Sequence, residues 1–168
     1  MLISEIKRKL DLLSQINEIN EEFLIKTILE EVADIKDSKI DKKSSILLDE
    51  NNFELALISP QNNCNIYFEV FEPNTVDIQI GIGGEYLYQQ KIKDLSDVYK
   101  LRGAIKDLLT SEISEELTKV NDKIIRSTYT VKHILNSVEQ HHYYSAAFGF
   151  SPLFSKKQKI QRIYDAWL

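Results

Sequence analysis

The segment from residue 46 to residue 92 alternates apolar and polar residues, and this pattern constrains the fold more than any other feature of the chain. Side chains of a β-strand point alternately to the two faces of a sheet, so the pattern predicts four short strands. Pro73-Asn74 and Gly83-Gly84 favour tight turns, which make neighbouring strands antiparallel. The sequence therefore predicts an antiparallel β-meander over 46–92.

The third strand of this meander indicates which side chains should face the core. Its aliphatic residues all fall on one face by the period of two: Val76, Ile78, Ile80 and Ile82. The opposite face should look outward, and we expect it to carry the residues Tyr67, Glu69, Asp77 and Gln79.

The meander is also strongly acidic. It contains seven carboxylates and one lysine, a net charge of −6, whereas the whole chain carries −5. The charge imbalance is therefore local and lies on a predicted sheet. We interpret it as an acidic face that binds a protein partner, with four candidate residues: Glu69, Glu72, Asp77 and Glu85.

Apolar residues with helical spacing predict helices on both sides of the meander. Residues 1–36 form either one bent helix or two, because neither Gly nor Pro separates the two apolar stripes, and Asn20 is a candidate cap. Residues 94–110 are predicted to form a helix that begins at Asp94. A C-terminal helix is predicted over 155–168, with these residues on one face: Ile160, Ile163, Tyr164 and Trp167.

Residues 113–150 are predicted to add further strands. The apolar spacing over 113–131 also fits a helix, but residues 124–131 are rich in β-branched and aromatic types, which favours a hairpin turned at Asn121-Asp122. The whole chain, 1–168, is thus predicted to be a single α+β domain. It would consist of an antiparallel sheet of roughly six or seven strands with N-terminal, central and C-terminal helices packed on its aliphatic face.

Composition argues against several classes of protein. An acidic chain is poorly suited to nucleic acid, whose affinity depends on cations meeting phosphates. No apolar run is long enough to cross a bilayer, and residues 1–8 lack the apolar stretch of a secretory signal. Cys64 is the only cysteine, so no internal disulfide is possible. We therefore expect a cytoplasmic protein without membrane or nucleic-acid partners.

Catalytic and metal-binding patterns fail at required positions. The glycines at 81, 83 and 84 lack the third glycine of a dinucleotide loop, where Tyr86 stands. Ser151 is followed by Pro152, which removes a backbone donor that a nucleophile elbow needs. His133, His141 and His142 lack zinc-pair spacing, so we predict no metal and no cofactor.

A second candidate partner-binding patch combines tyrosine, which is enriched in binding hot spots, with histidine. Its members are Tyr67, His141, His142 and Tyr143. The leading hypothesis is a protein, monomeric or homodimeric, that inhibits a partner by covering it. This small, acidic, motif-free α+β chain is similar in type to bacterial immunity proteins, which implies a basic toxin or nuclease domain as partner. The alternatives are a small enzyme with a carboxylate, His and Tyr pocket, and a structural or regulatory subunit that associates through its N-terminal helices.

Overall fold

A computed structural model shows an α+β protein with antiparallel sheets. It describes residues 2–48, 52–60, 64–71, 73–81, 85–135, 138–147, 149 and 156–168. Within these residues there are three α-helices: α1 (Leu2–Leu12), α2 (Glu21–Val32) and α3 (Leu95–Thr110). The N-terminal segment is therefore two helices and not one.

The helices begin where the sequence provides capping side chains. The Asn20 side chain accepts a 2.9 Å hydrogen bond from the backbone N–H of Phe23, at the first turn of α2. Asp94 does the same for the N–H of Asp97 at 3.1 Å, at the start of α3. Both contacts satisfy a backbone donor that has no partner within the helix, so the predicted caps are confirmed.

The first sheet contains five strands whose order follows the chain: β1 (Ser45–Leu48), β2 (Asn52–Leu57), β3 (Ile66–Phe71), β4 (Thr75–Ile80) and β5 (Glu85–Lys91). Every neighbouring pair is antiparallel, as predicted for a meander. One face packs against the helices, and the buried aliphatic residues of β4 are Val76, Ile78 and Ile80. Ile82 lies outside the described residues.

The remaining four strands form a second antiparallel sheet. In chain order they are β6 (Glu112–Val120), β7 (Lys123–Leu135), β8 (Val138–Ala147) and β9 (Gln158–Tyr164), and they lie in the order β8-β7-β6-β9. Asn121 and Asp122 connect β6 to β7 with positive φ angles of 49° and 62°. Two such residues form the hairpin turn that matches strand twist, so the hairpin interpretation of 113–131 is confirmed.

Three predictions about the architecture were wrong. The meander was predicted to have four strands and has five, because β1 precedes the predicted ones. The described strands form two sheets of five and four, not one sheet of six or seven. The predicted C-terminal helix over 155–168 is instead β9, which pairs with β6 from Ile113↔Tyr164 to Lys119↔Gln158. Pairing with β6 supplies hydrogen bonds for the backbone of β9, and no local sequence pattern reveals such a distant partner.

The buried core is continuous from the helices through the first sheet to the second. Trp167 is part of it, and its indole N–H donates to the carbonyl of Cys64 at 2.8 Å. The two sheets also touch where the Tyr129 hydroxyl on β7 lies against Gly81, just after β4. A Cβ at position 81 would overlap that hydroxyl, and Gly81 has a φ of +71° that L side chains rarely adopt. Only glycine suits this contact.

Candidate functional site: an acidic row on the first sheet

Three carboxylates form a row across neighbouring strands on the outer face of the first sheet. Glu54 on β2 lies directly opposite Glu69 on β3, and Glu69 lies opposite Asp77 on β4. We call these three residues the acidic row. It continues to Leu47 on β1 at one end and to Gln89 on β5 at the other. The row forms because all three residues alternate with the buried aliphatic residues of their strands.

Burial increases along the acidic row. Glu54 is exposed, Glu69 is half-buried, and Asp77 retains only 3% of its exposed surface. Asp77 was expected to face solvent with Tyr67, Glu69 and Gln79, and the last three are half-buried. Asp77 lies on the predicted face of the sheet, but the prediction that it is exposed to solvent is wrong. Position on the face opposite the core does not by itself ensure contact with water.

The two carboxylate oxygens of Asp77 differ in their hydrogen bonds. The Gln89 side-chain amide donates to Asp77 Oδ2 at 3.2 Å. Oδ1 is buried and has no hydrogen-bond partner among the described residues. A buried acceptor without a donor is unusual in folded proteins and destabilises the fold that contains it.

Two carboxyl groups of the acidic row, those of Glu69 and Asp77, have raised pKa values. Burial raises the pKa of Asp77 above its ordinary value, and the hydrogen bond from Gln89 opposes that change in part. Burial also raises the pKa of Glu69, and the negative charges of Glu54 and Asp77 raise it further. Both groups are therefore more easily protonated than isolated carboxylates, and both would gain from a nearby cation.

No described cation neutralises the acidic row. Lys91 lies one row away on the same face, opposite Thr75, and none of the ion pairs among the described residues involves Glu54, Glu69 or Asp77. Within the same residues, no three histidine, cysteine or carboxylate side chains meet in an arrangement that could hold a metal ion.

The structure separates the other predicted binding residues. Tyr67 is half-buried on β3, between Ala56 and Gln79. The backbone of His141, His142 and Tyr143 belongs to β8 of the second sheet. The side chains of those three residues and of Glu85 lie outside the described part of the structure, as does all of Glu72.

A second buried carboxylate, Glu115 on β6, was not among the residues that the sequence indicated as candidates. Its Oε1 accepts hydrogen bonds from the Ser127 hydroxyl at 3.0 Å and the Tyr129 hydroxyl at 2.6 Å. Its Oε2 accepts from the Tyr164 hydroxyl at 2.6 Å and lies 3.7 Å from Arg162 Nη1. A signal was available, because a strand over 112–120 places Glu115 between Ile113 and Leu117 on the apolar face.

The groups around Glu115 keep their protons at neutral pH. Burial, followed by the hydrogen bond to Glu115, raises the pKa of Tyr164 to about 12 and raises that of Tyr129 further. Burial raises the pKa of the Cys64 thiol to about 12, with the negative charge of Glu115 adding to the effect. The tyrosines therefore remain donors to Glu115, and the thiol remains unreactive. This cluster is a satisfied part of the core.

None of the described helices has the length and apolar character that crossing a membrane requires. Comparison of the chain with protein-family models, with curated proteins and with solved structures finds no match.

Proposed function

We infer that this protein binds a basic protein partner through the outer face of its first sheet, with the acidic row at the centre of the contact. The observation that carries the proposal is the in-register placement of Glu54, Glu69 and Asp77 without an ion-pair partner among the described residues. Like charges opposite each other on a sheet are destabilising. A basic partner relieves that repulsion and gains electrostatic complementarity.

The surroundings of the acidic row support a protein partner. Leu47 continues the row on the edge strand β1 and is 51% exposed. An apolar group beside charged ones is a common composition for the surface of a protein interface. A broad sheet face is also suited to covering a partner's working surface. The most concrete form of the proposal is an immunity-type protein that neutralises a toxin domain by occlusion.

The test uses charge reversal on the face and a matched reversal elsewhere. We expect affinity capture from the source organism to retain a basic protein, whose purified form then binds with an affinity that falls steeply as salt rises. The Glu54→Lys/Glu69→Lys variant should weaken that binding by about tenfold or more.

The control variant is Asp11→Lys/Glu18→Lys, which changes the net charge equally at two exposed helical and loop positions. It should bind with nearly the affinity of the unchanged protein. A small loss of affinity is expected because the lower negative charge weakens the long-range attraction of a basic partner. Circular dichroism of both variants checks that each is folded. Equal loss of binding in the two variants, or a partner whose binding ignores salt, contradicts the proposal. Protection of cells that express the captured protein tests the inhibitory part separately.

A further inference from the structure

The unpartnered oxygen of Asp77 points to a specific feature of the partner. Asp77 is buried, with an exposed fraction of 3% for the residue, and Oδ1 has no donor among the described residues. Its neighbour on β5, Gln89, already donates to Oδ2, and its neighbour on β3, Glu69, is an acceptor when it is ionised. The free protein therefore places two acceptors side by side and supplies one donor. No described residue supplies a donor for Oδ1.

A guanidinium group fits two adjacent carboxylates better than an ammonium does. Its planar fork carries five N–H donors in fixed directions, whereas a lysine ammonium acts as a point charge. Neighbouring strands are about 4.8 Å apart, a distance that one guanidinium can bridge with different nitrogens. The protein itself contains such a bridge: Arg102 on α3 donates from Nη1 to Glu31 at 2.7 Å and from Nη2 to Glu30.

We propose that Asp77 and Glu69 form a socket for one arginine side chain of the basic partner, whose guanidinium donates to Asp77 Oδ1 and to a Glu69 oxygen. The socket rests on the proposed function, because it names the chemistry of the partner at the centre of the same face. The oxygen is sealed in the free protein, so a side chain has to move before the arginine enters. Gln89 is the candidate, since its side chain is exposed and its 3.2 Å hydrogen bond to Asp77 is at the long end of the usual range.

Arginine binding at this socket competes with protons. The raised pKa values of Glu69 and Asp77 fall when a positive charge lies between them, so binding releases protons over the pH range in which either group is partly protonated. The negative charge of Glu54 raises the pKa of Glu69, so it strengthens this competition between the arginine and protons. The positively charged Lys91 also lies near this face. Affinity should therefore fall as the pH is lowered through those raised values.

The experiment is an NMR titration of the carboxyl carbons of Asp77 and Glu69 with three short peptides that differ at one position. The peptides are acetyl-Gly-Arg-Gly-amide, its lysine counterpart and its neutral citrulline counterpart. We expect the arginine peptide to shift both signals saturably with a dissociation constant on the order of millimolar, which is typical of a single side-chain contact. The lysine peptide should bind more weakly, and citrulline should not bind.

Two variants and a control decide the result. Asp77→Asn and Glu69→Gln should each weaken arginine binding by about tenfold, the effect of losing one charged hydrogen bond. Glu18→Gln, at an exposed position, should leave binding unchanged. Arginine and lysine peptides of equal affinity, or an Asp77→Asn variant that binds normally, overturn the socket. The salt and charge-reversal test of the whole face does not depend on that outcome. Together the two experiments distinguish a binding face that lacks the socket from the absence of any binding at this face.

Discussion

Asp77 and Glu115 are two buried carboxylates with opposite surroundings. Each lies on a strand with a neighbour on both sides, and their exposed fractions are 3% and 1%. Glu115 faces the core and accepts three hydroxyl hydrogen bonds, with Arg162 close by. Asp77 lies on the opposite face of its own sheet and leaves Oδ1 without a partner among the described residues.

The contrast shows why burial alone does not identify a site. A buried carboxylate whose lone pairs are occupied contributes to the unique packing of the core, because several side chains depend on it at once. A buried carboxylate with an unoccupied oxygen destabilises the free protein and is stabilised by an external donor. We therefore interpret Glu115 as structural, whereas Asp77 is the residue for which we propose a binding role.

The largest effect is expected at Glu115. Replacement by alanine leaves the hydroxyls of Ser127, Tyr129 and Tyr164 without their acceptor, and should lower the free energy of unfolding by about 3 kcal/mol. Urea denaturation measures this change. Glu116→Ala is the matched control, because among the described residues Glu116 forms a surface ion pair with Lys159, and its replacement should cost less than about 1 kcal/mol. Similar losses in both variants would mean that the Glu115 cluster is not structurally important.

A smaller effect with the opposite sign is expected at Asp77. Asp77→Asn removes a buried charge but keeps the shape of the side chain, so the free energy of unfolding at neutral pH should stay constant or rise by about 1 kcal/mol. Glu115→Gln is the matched isosteric change, and it should destabilise by about 1 to 2 kcal/mol because it disturbs filled hydrogen bonds. Equal destabilisation by Asp77→Asn and Glu115→Gln would contradict the proposed difference between the two carboxylates.

The smallest effect is a change in the pH dependence of stability. Because the pKa values of Glu69 and Asp77 are raised on folding, the folded protein holds protons that the unfolded chain releases. Their favourable contribution is complete below the ordinary values of 4.5 and 3.8, and it is lost as the pH rises through the raised values. The stability of the unchanged protein relative to Glu69→Gln/Asp77→Asn should therefore fall as the pH rises above those ordinary values and through the raised ones.

Asp97 also affects the pH dependence of stability, but its effect cancels when the two proteins are compared. The pKa of Asp97 is lowered, first by its hydrogen bond with Lys100, so its contribution is present above its ordinary value and is lost as the pH falls. That contribution has the opposite slope, but it is common to both proteins and cancels in the difference. A difference that is flat, or that grows with pH, contradicts the raised pKa values of the acidic row.

The sequence was sufficient for the features that local patterns determine. Alternation predicted the meander and the buried face of β4, and the caps at Asn20 and Asp94 were also confirmed. The fold class and the hairpin at Asn121-Asp122 followed in the same way, because their causes lie within a few residues.

Features that depend on distant partners could not be predicted. Ile160, Tyr164 and Trp167 fit a helical stripe, yet Ile160 and Tyr164 also fit a strand, and only the pairing with β6 decides between them. Tyr164 reaches Glu115 across 49 positions of sequence. The same limitation applies to Asp77: alternation placed it on the outer face, but its burial depends on neighbouring strands.

The contact between Gly81 and Tyr129 has a consequence for how this chain tolerates mutation. Because the tyrosine hydroxyl occupies the space of a Cβ at position 81, the two positions should show strong epistasis. In a library that varies both, residues other than glycine at 81 should survive selection only with a small residue at 129. Asn and Asp should dominate among them, since they best tolerate the left-handed backbone. Positions 81 and 129, which lie on different sheets, would then evolve together.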